Sequence, residues 1–166
     1  KEYLKDNILI FDGAMGTMLQ KEGLPIGENP EIFGVNNPDK LLKIHKKYLE
    51  AGCNVLTTNT FGCNELKVTK LGYTVEEIIE TSVSIARKAI EESDKSKPRF
   101  VALDIGPIGE MLEPMGTLSF DRAYEIFKRQ AIQGEKSGAD LIIIETMMDL
   151  YEAKAAVLAA KENTNL

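Results

Sequence analysis

Four short, largely apolar runs, each ending on polar side chains, constrain this chain more than anything else in it. Ile8-Leu9-Ile10-Phe11 ends on Asp12, and Val55-Leu56-Thr57-Thr58 ends on Asn59-Thr60. Phe100-Val101-Ala102-Leu103 ends on Asp104, and Leu141-Ile142-Ile143-Ile144 ends on Glu145. Runs of this length are strand-sized, and near-continuous apolar character marks strands covered on both faces. Such strands belong in a parallel sheet flanked by helices.

The segments between them read as helices. Asn37-Pro38 supplies an N-cap followed by proline at the first helical position. Leu41, Ile44, His45, Tyr48 and Leu49 then share one face, and Gly52 ends the helix. Thr74-Val75-Glu76-Glu77 is a capping box opening a helix that buries Val75, Ile78, Ile79, Val83, Ala86 and Ile90. Lys97-Pro98 breaks it. Ser119 caps a third helix, with Ala123, Tyr124, Phe127 and Ala131 inward and Gly138 at its end. An alanine-rich helix runs from about Asp149 to Lys161. Gly23 to Asn37 and Ile108 to Leu118 read as long connections.

The order is therefore βαβαβαβα, an α/β protein with parallel strands and outer helices. A weak repeat with a period of two βα units accompanies this order. Gly52-x-Asn54-Val55-Leu56-(x)2-Asn59-Thr60 matches Gly138-x-Asp140-Leu141-Ile142-(x)2-Glu145-Thr146. Layering of alternate strands in a (β/α)8 barrel produces such a repeat.

Composition narrows the function classes. The chain has 166 residues, is 43% hydrophobic and carries a net charge of -6. Acidic balance argues against a phosphate-neutralising groove, so no nucleic-acid partner is expected. Lys43, Lys46 and Lys47 read as a solvated helix face. No apolar run approaches the roughly 20 residues that span a bilayer, so no membrane association is expected. Lys1 to Asn7 has no apolar run of signal-peptide type. Cys53 and Cys63, the two cysteines, have no metal-ligand spacing and do not suggest a disulfide framework; the expected location is cytoplasmic.

In parallel α/β folds, ligands sit at the carboxyl ends of strands. Asp12, Asn59-Thr60, Asp104 and Glu145 should therefore converge on one rim. Asp and Asn also begin turns, so each alone says little. Glu145 follows four apolar residues, where a buried charge would need either a cationic ligand or an ion-pair partner. Asp12-Gly13-Ala14-Met15-Gly16-Thr17 is glycine-rich enough to offer backbone N–H groups to a small carboxylate, or its glycines serve only the turn. It is not a nucleotide motif. His45 falls on an apolar helix stripe and reads as a core or rim histidine.

Several stretches together resemble the homocysteine S-methyltransferase family, in the version carried by cobalamin-dependent methionine synthases. They are Ile10-Phe11-Asp12-Gly13-Ala14-Met15-Gly16-Thr17-Met18-Leu19-Gln20, Asn37-Pro38, Ala51-Gly52-Cys53-Asn54-Val55-Leu56-Thr57-Thr58-Asn59-Thr60-Phe61, Gly106-Pro107 and Gly138-Ala139-Asp140-Leu141-Ile142-Ile143-Ile144-Glu145-Thr146. The resemblance implies a TIM barrel, of which residues 1–166 would form one partial domain: the first four βα units, a half barrel. It implies that Asp12 and Glu145 hold the amino group of homocysteine. The turn at Gly13, Ala14 and Met15 would receive the carboxylate, and Thr60, Phe61 and Asp104 would line the pocket. Whole enzymes of the family transfer a methyl group from methylcobalamin to a zinc-bound homocysteine thiolate. Their three zinc cysteines lie on later strands, and neither Cys53 nor Cys63 matches one. The expectation is a substrate-binding half with no certain catalytic residue and no metal ligand, binding neither zinc nor methylcobalamin and inactive alone. Its expected partners are homocysteine, the C-terminal half of the barrel, and a second copy packed on the open barrel face. The alternative is an autonomously folding, self-associating half barrel with at most weak amino-acid binding.

Overall fold

A computed structural model describes residues 3–166. Lys1 and Glu2, the first two residues of the expected domain, lie outside the described residues. Three parallel strands form the sheet: β1 (Val55–Thr57), β2 (Phe100–Ile105) and β3 (Leu141–Ile144), in that order. Val55 stands opposite Phe100, and Ala102 is opposite both Thr57 and Leu141. The helices are α1 (Met15–Lys21), α2 (Pro30–Asn36), α3 (Pro38–Ala51), α4 (Glu65–Val68), α5 (Val75–Glu91), α6 (Phe120–Ser137) and α7 (Leu150–Asn163). The parallel α/β architecture is as the sequence implies.

The expected first strand is reduced to a single bridge, Phe11 to Val55. The Asp12 amide donates to Val55 O at 2.9 Å and the Val55 amide to Ile10 O at 3.1 Å. Further out, Ile8 is 83% exposed and Ile10 57%. An edge segment with a partner on one side only and no cover on its apolar residues has little to hold it in a longer ladder. β2 is longer than expected: it continues to Ile105, so Asp104 lies inside the strand.

Capping signals place the main helices. Thr74 and Glu77 form the reciprocal capping box. Ser119 accepts from the Arg122 amide, and Asp149 accepts from the Tyr151 amide. Gly52 and Gly138 end α3 and α6 in the left-handed conformation, at φ 106° and 95°, where a side chain would be strained. The long connection before Asn37 contains α2. Its start repeats the Asn-Pro pattern: Asn29 accepts from the Ile32 amide, and Pro30 is the first helical residue.

The internal repeat is a structural device. Asn54 precedes β1, and its Oδ1 accepts from the Ile10 amide at 3.2 Å. Asp140 precedes β3, and its Oδ2 accepts from the Val101 amide at 2.8 Å. Each residue also donates its own amide to the carbonyl of that same residue, Ile10 or Val101. Each clasp therefore locks a strand's first residues to the strand before it, fixing parallel register.

Leu56, Val101, Leu103 and Ile105 belong to the main core, with Ile78, Ile79 and Val83 of α5 and Phe127 of α6. Successive strand residues point to opposite faces, so Thr57, Ala102, Asp104 and Ile143 face the other side. A smaller core joins Leu19, Leu24, Phe33, Leu41, Ile44 and Ile85. His45 is fully buried, as a core histidine. Lys43 and Lys47 pair with Glu22, and Lys46 pairs with Glu92. Among the described residues no helix is long and apolar enough to cross a membrane.

Candidate functional site

Beyond the carboxyl ends of the strands lies a cavity of about 440 Å³. Its lining includes all eight residues singled out from the sequence: Asp12, Gly13, Ala14, Met15, Thr60, Phe61, Asp104 and Glu145. It also includes Glu31, Thr57, Thr58 and Asn59. Four carboxylates therefore share the space, and among the described residues no Lys, Arg or His lines it.

Asp12 is held by Thr57, whose hydroxyl donates to Oδ1 at 2.8 Å and whose amide donates to Oδ2 at 3.0 Å. Burial pushes the Asp12 carboxyl up to about 6, against the opposing pull of these hydrogen bonds. Thr58 and Thr60 build the rim between β1 and β2. Their hydroxyls lie 2.7 Å apart; Thr60 donates to Asp104 O at 2.7 Å, and Thr58 accepts from the Asp104 amide at 3.1 Å. This web fixes the Asp104 backbone, while the side chain interacts with the Glu145 carboxyl. Asp104 is 7% exposed, and its Oδ1 has no hydrogen-bond partner. Burial first, then the charge of Glu145, with Asp12 and Glu31 adding, pushes its carboxyl up to about 8.

Glu145 is exposed, at the open side beyond β3. The unpartnered buried carboxylate expected at that position is instead Asp104. Thr146, next along the chain, adopts φ 60°, which is costly for a β-branched residue. Strain at a strand end beside a charged rim fits a segment shaped for a ligand.

The Asp12–Met15 turn leads into α1, whose N-terminus has no side-chain cap. Tyr48 of α3 braces it by donating its hydroxyl to Ala14 O at 2.9 Å. Phe61 is 38% exposed and packs over Gly106, whose amide donates to Phe61 O at 3.1 Å. A Cβ on Gly106 would stand 2.6 Å from both the Phe61 ring and its carbonyl oxygen.

Glu31 was not legible as a site residue. It comes from α2, within a stretch the sequence presents as a connection, and reaches the rim only through tertiary packing. The repeated Asn-Pro helix start at Asn29-Pro30 was the available signal.

The residues do not fit a zinc site. Among the described residues no group of three or more His, Cys, Asp or Glu is arranged to hold a metal. Both cysteines are buried and free. Burial pushes the Cys53 thiol up to about 11 and Cys63 higher still, the wrong direction for thiolate ligands. The Cys63 thiol donates to Val75 O at 3.7 Å.

Comparison with known proteins adds an independent line. The homocysteine S-methyltransferase family profile matches residues 9–166. Methionine synthases of Mycobacterium tuberculosis (strain ATCC 25618 / H37Rv) and Mycobacterium leprae (strain TN) are each 32% identical over 169 residues, covering 96% of this chain. The chain spans 14% of the length of those relatives. The oxidized form of the homocysteine methyltransferase MmuM from Escherichia coli superposes with TM-score 0.84 at 24% identity, over 96% of this chain and 60% of that one. Its metallated form gives 0.82 at 22%, over 98% and 63%.

Proposed function

Because the chain belongs to the homocysteine S-methyltransferase family, we propose that it is the part of a methionine-synthase-like enzyme that grips the amino-acid end of homocysteine. The carrying observation is Asp104: a buried carboxylate with an unpartnered oxygen, in a cavity lined, among the described residues, by four carboxylates and no cation. An ammonium group supplies what that oxygen lacks. Asp12 and Glu145 complete the cationic subsite, the Gly13-Ala14-Met15 turn faces the ligand's carboxylate, and Phe61 and Thr60 wall the pocket. Residues 1–166 then form the first four βα units of a barrel.

In that reading the residues present bind and orient the substrate. Zinc, where the family carries it, supplies Lewis acidity to the substrate thiol, and the donors for it are not found among the described residues. The chain alone is therefore inactive in methyl transfer, and activity from methylcobalamin returns only when the remaining barrel and its cysteines are supplied. Calorimetry with L-homocysteine tests the site. Binding that Asp104→Asn and Glu145→Gln each abolish is the expected result; no binding, or binding indifferent to both substitutions, overturns it.

A second reading, a self-associating fragment with at most weak amino-acid binding, is favoured by the open edges. Ile8 and Ile10 are exposed at one, and Met148, Leu150 and Tyr151 at 98%, 83% and 64% lie beyond β3 at the other. Apolar surface of this kind favours association. A concentration-independent monomer in analytical ultracentrifugation counts against it.

A further inference from the structure

Of the four carboxylates in the cavity, Glu31 alone comes from a helix, and it is the least free to leave. It is 4% exposed, and its Oε1 accepts the Gly62 amide at 2.5 Å. A Cβ on Gly62 would stand 2.8 Å from that oxygen, so the contact depends on glycine there. The start of α2 is itself tied to the rim, because Asn59 Nδ2 donates to Pro30 O at 2.7 Å. Glu31 therefore presents a carboxylate to a cavity whose lining, among the described residues, offers no cation to neutralise it. Its charge is felt across the space, adding to the influences that raise Asp104. A buried charge with no opposite charge beside it is costly even when hydrogen-bonded, and a ligand cation relieves that cost.

We infer that Glu31 is the selecting residue of this cavity: its anchored carboxylate makes the site prefer a small primary ammonium over the same molecule without the amine. The inference rests on the amino-acid site proposed above and assigns its selectivity to a residue outside the strand ends.

The test uses two ligands and one substitution. Methylammonium probes charge selection alone, and L-homocysteine probes the proposed substrate. Carboxyl carbon resonances of Glu31 and Asp104 are followed by NMR during each titration, in the natural chain and in Glu31→Gln. Gln keeps an acceptor for the Gly62 amide and removes the charge. Methylammonium should shift both resonances in the natural chain, and bind roughly tenfold more weakly to Glu31→Gln, as expected for loss of one nearby charge in a partly desolvated site. The Asp104 titration midpoint should fall in Glu31→Gln even without ligand. An unresponsive Glu31 resonance in the natural chain, or equal binding by the variant, overturns the inference; the first criterion stands even if the variant does not fold. Binding of methylammonium that depends on Glu31, with no binding of homocysteine, overturns the substrate reading and leaves this one intact. Binding of neither ligand overturns both.

Discussion

Thr57 grips Asp12 twice, with its hydroxyl 2.8 Å from Oδ1 and its amide 3.0 Å from Oδ2. The pair joins β1 to the segment that only bridges it, so one contact serves both the edge of the sheet and the charge state of the site. Thr57→Val removes the hydroxyl and keeps the shape. It should cost about 1 kcal/mol in urea denaturation and move the Asp12 midpoint above its value of about 6, read by carboxyl NMR.

Asp104 sets the pH dependence. Its carboxyl titrates at about 8 in the folded chain, against 3.8 for the ordinary group. Between those values the folded chain holds more protons than the unfolded one, so the contribution of Asp104 to stability falls as pH rises through the window. Asp104→Asn removes that penalty. It should stabilise by about 1–3 kcal/mol near pH 9 and by little below pH 4, measured by denaturation across pH. Ligand binding runs the opposite way. Affinity for an ammonium ligand should climb between pH 6 and pH 8 as Asp104 ionises, measured by calorimetry across that range.

His45 gives a contrary signature. It is fully buried, neither ring nitrogen has a hydrogen-bond partner, and burial lowers its titration to about 4 from 6.5. The unfolded chain binds the extra proton between those values, so stability is fully present above 6.5 and is lost as pH falls toward 4. His45→Leu should stabilise by about 1–2 kcal/mol at neutral pH, because it removes two orphaned polar atoms from an apolar site. The gain should widen at pH 5, where Asp104→Asn gains less than it does near pH 9.

Gly106→Ala tests the wall of the cavity. The new methyl would meet the Phe61 ring and carbonyl, with no room on the backbone side. A cost of about 2 kcal/mol is expected from overpacking, together with altered Phe61 ring resonances and weaker ligand binding.

The sequence exposed the parts of this molecule written in local patterns. β2 and β3 follow from apolar runs, and helix ends follow from the Thr74–Glu77 box, Ser119 and the glycines at 52 and 138; α3 starts at Pro38 as expected, but the Asn37 side chain does not cap it and donates to Phe33 O instead. Asp12, Thr60, Asp104 and Glu145 follow from a topological rule about strand ends, whereas Gly13, Ala14, Met15 and Phe61 entered as site residues through the family resemblance. What stayed hidden depends on neighbours distant in sequence. The run at Ile8 looks like a strand, yet only one residue near its end finds a partner. Glu145 looks buried by its sequence, yet is exposed because little covers the far side of β3. Glu31 carries no local mark, since its role arises where α2 meets the Gly62 amide. Nothing in the sequence flags the φ of Thr146.

The two clasps, Asn54 on Ile10 and Asp140 on Val101, stand where strands begin, while the carboxylates of the cavity gather at the opposite, carboxyl-terminal side of the sheet. Instructions for assembly and equipment for chemistry thus occupy opposite poles of the same few residues. A lineage could exchange its rim for another without rewriting how the strands find one another, and a laboratory seeking new ligands for this scaffold should leave its floor alone.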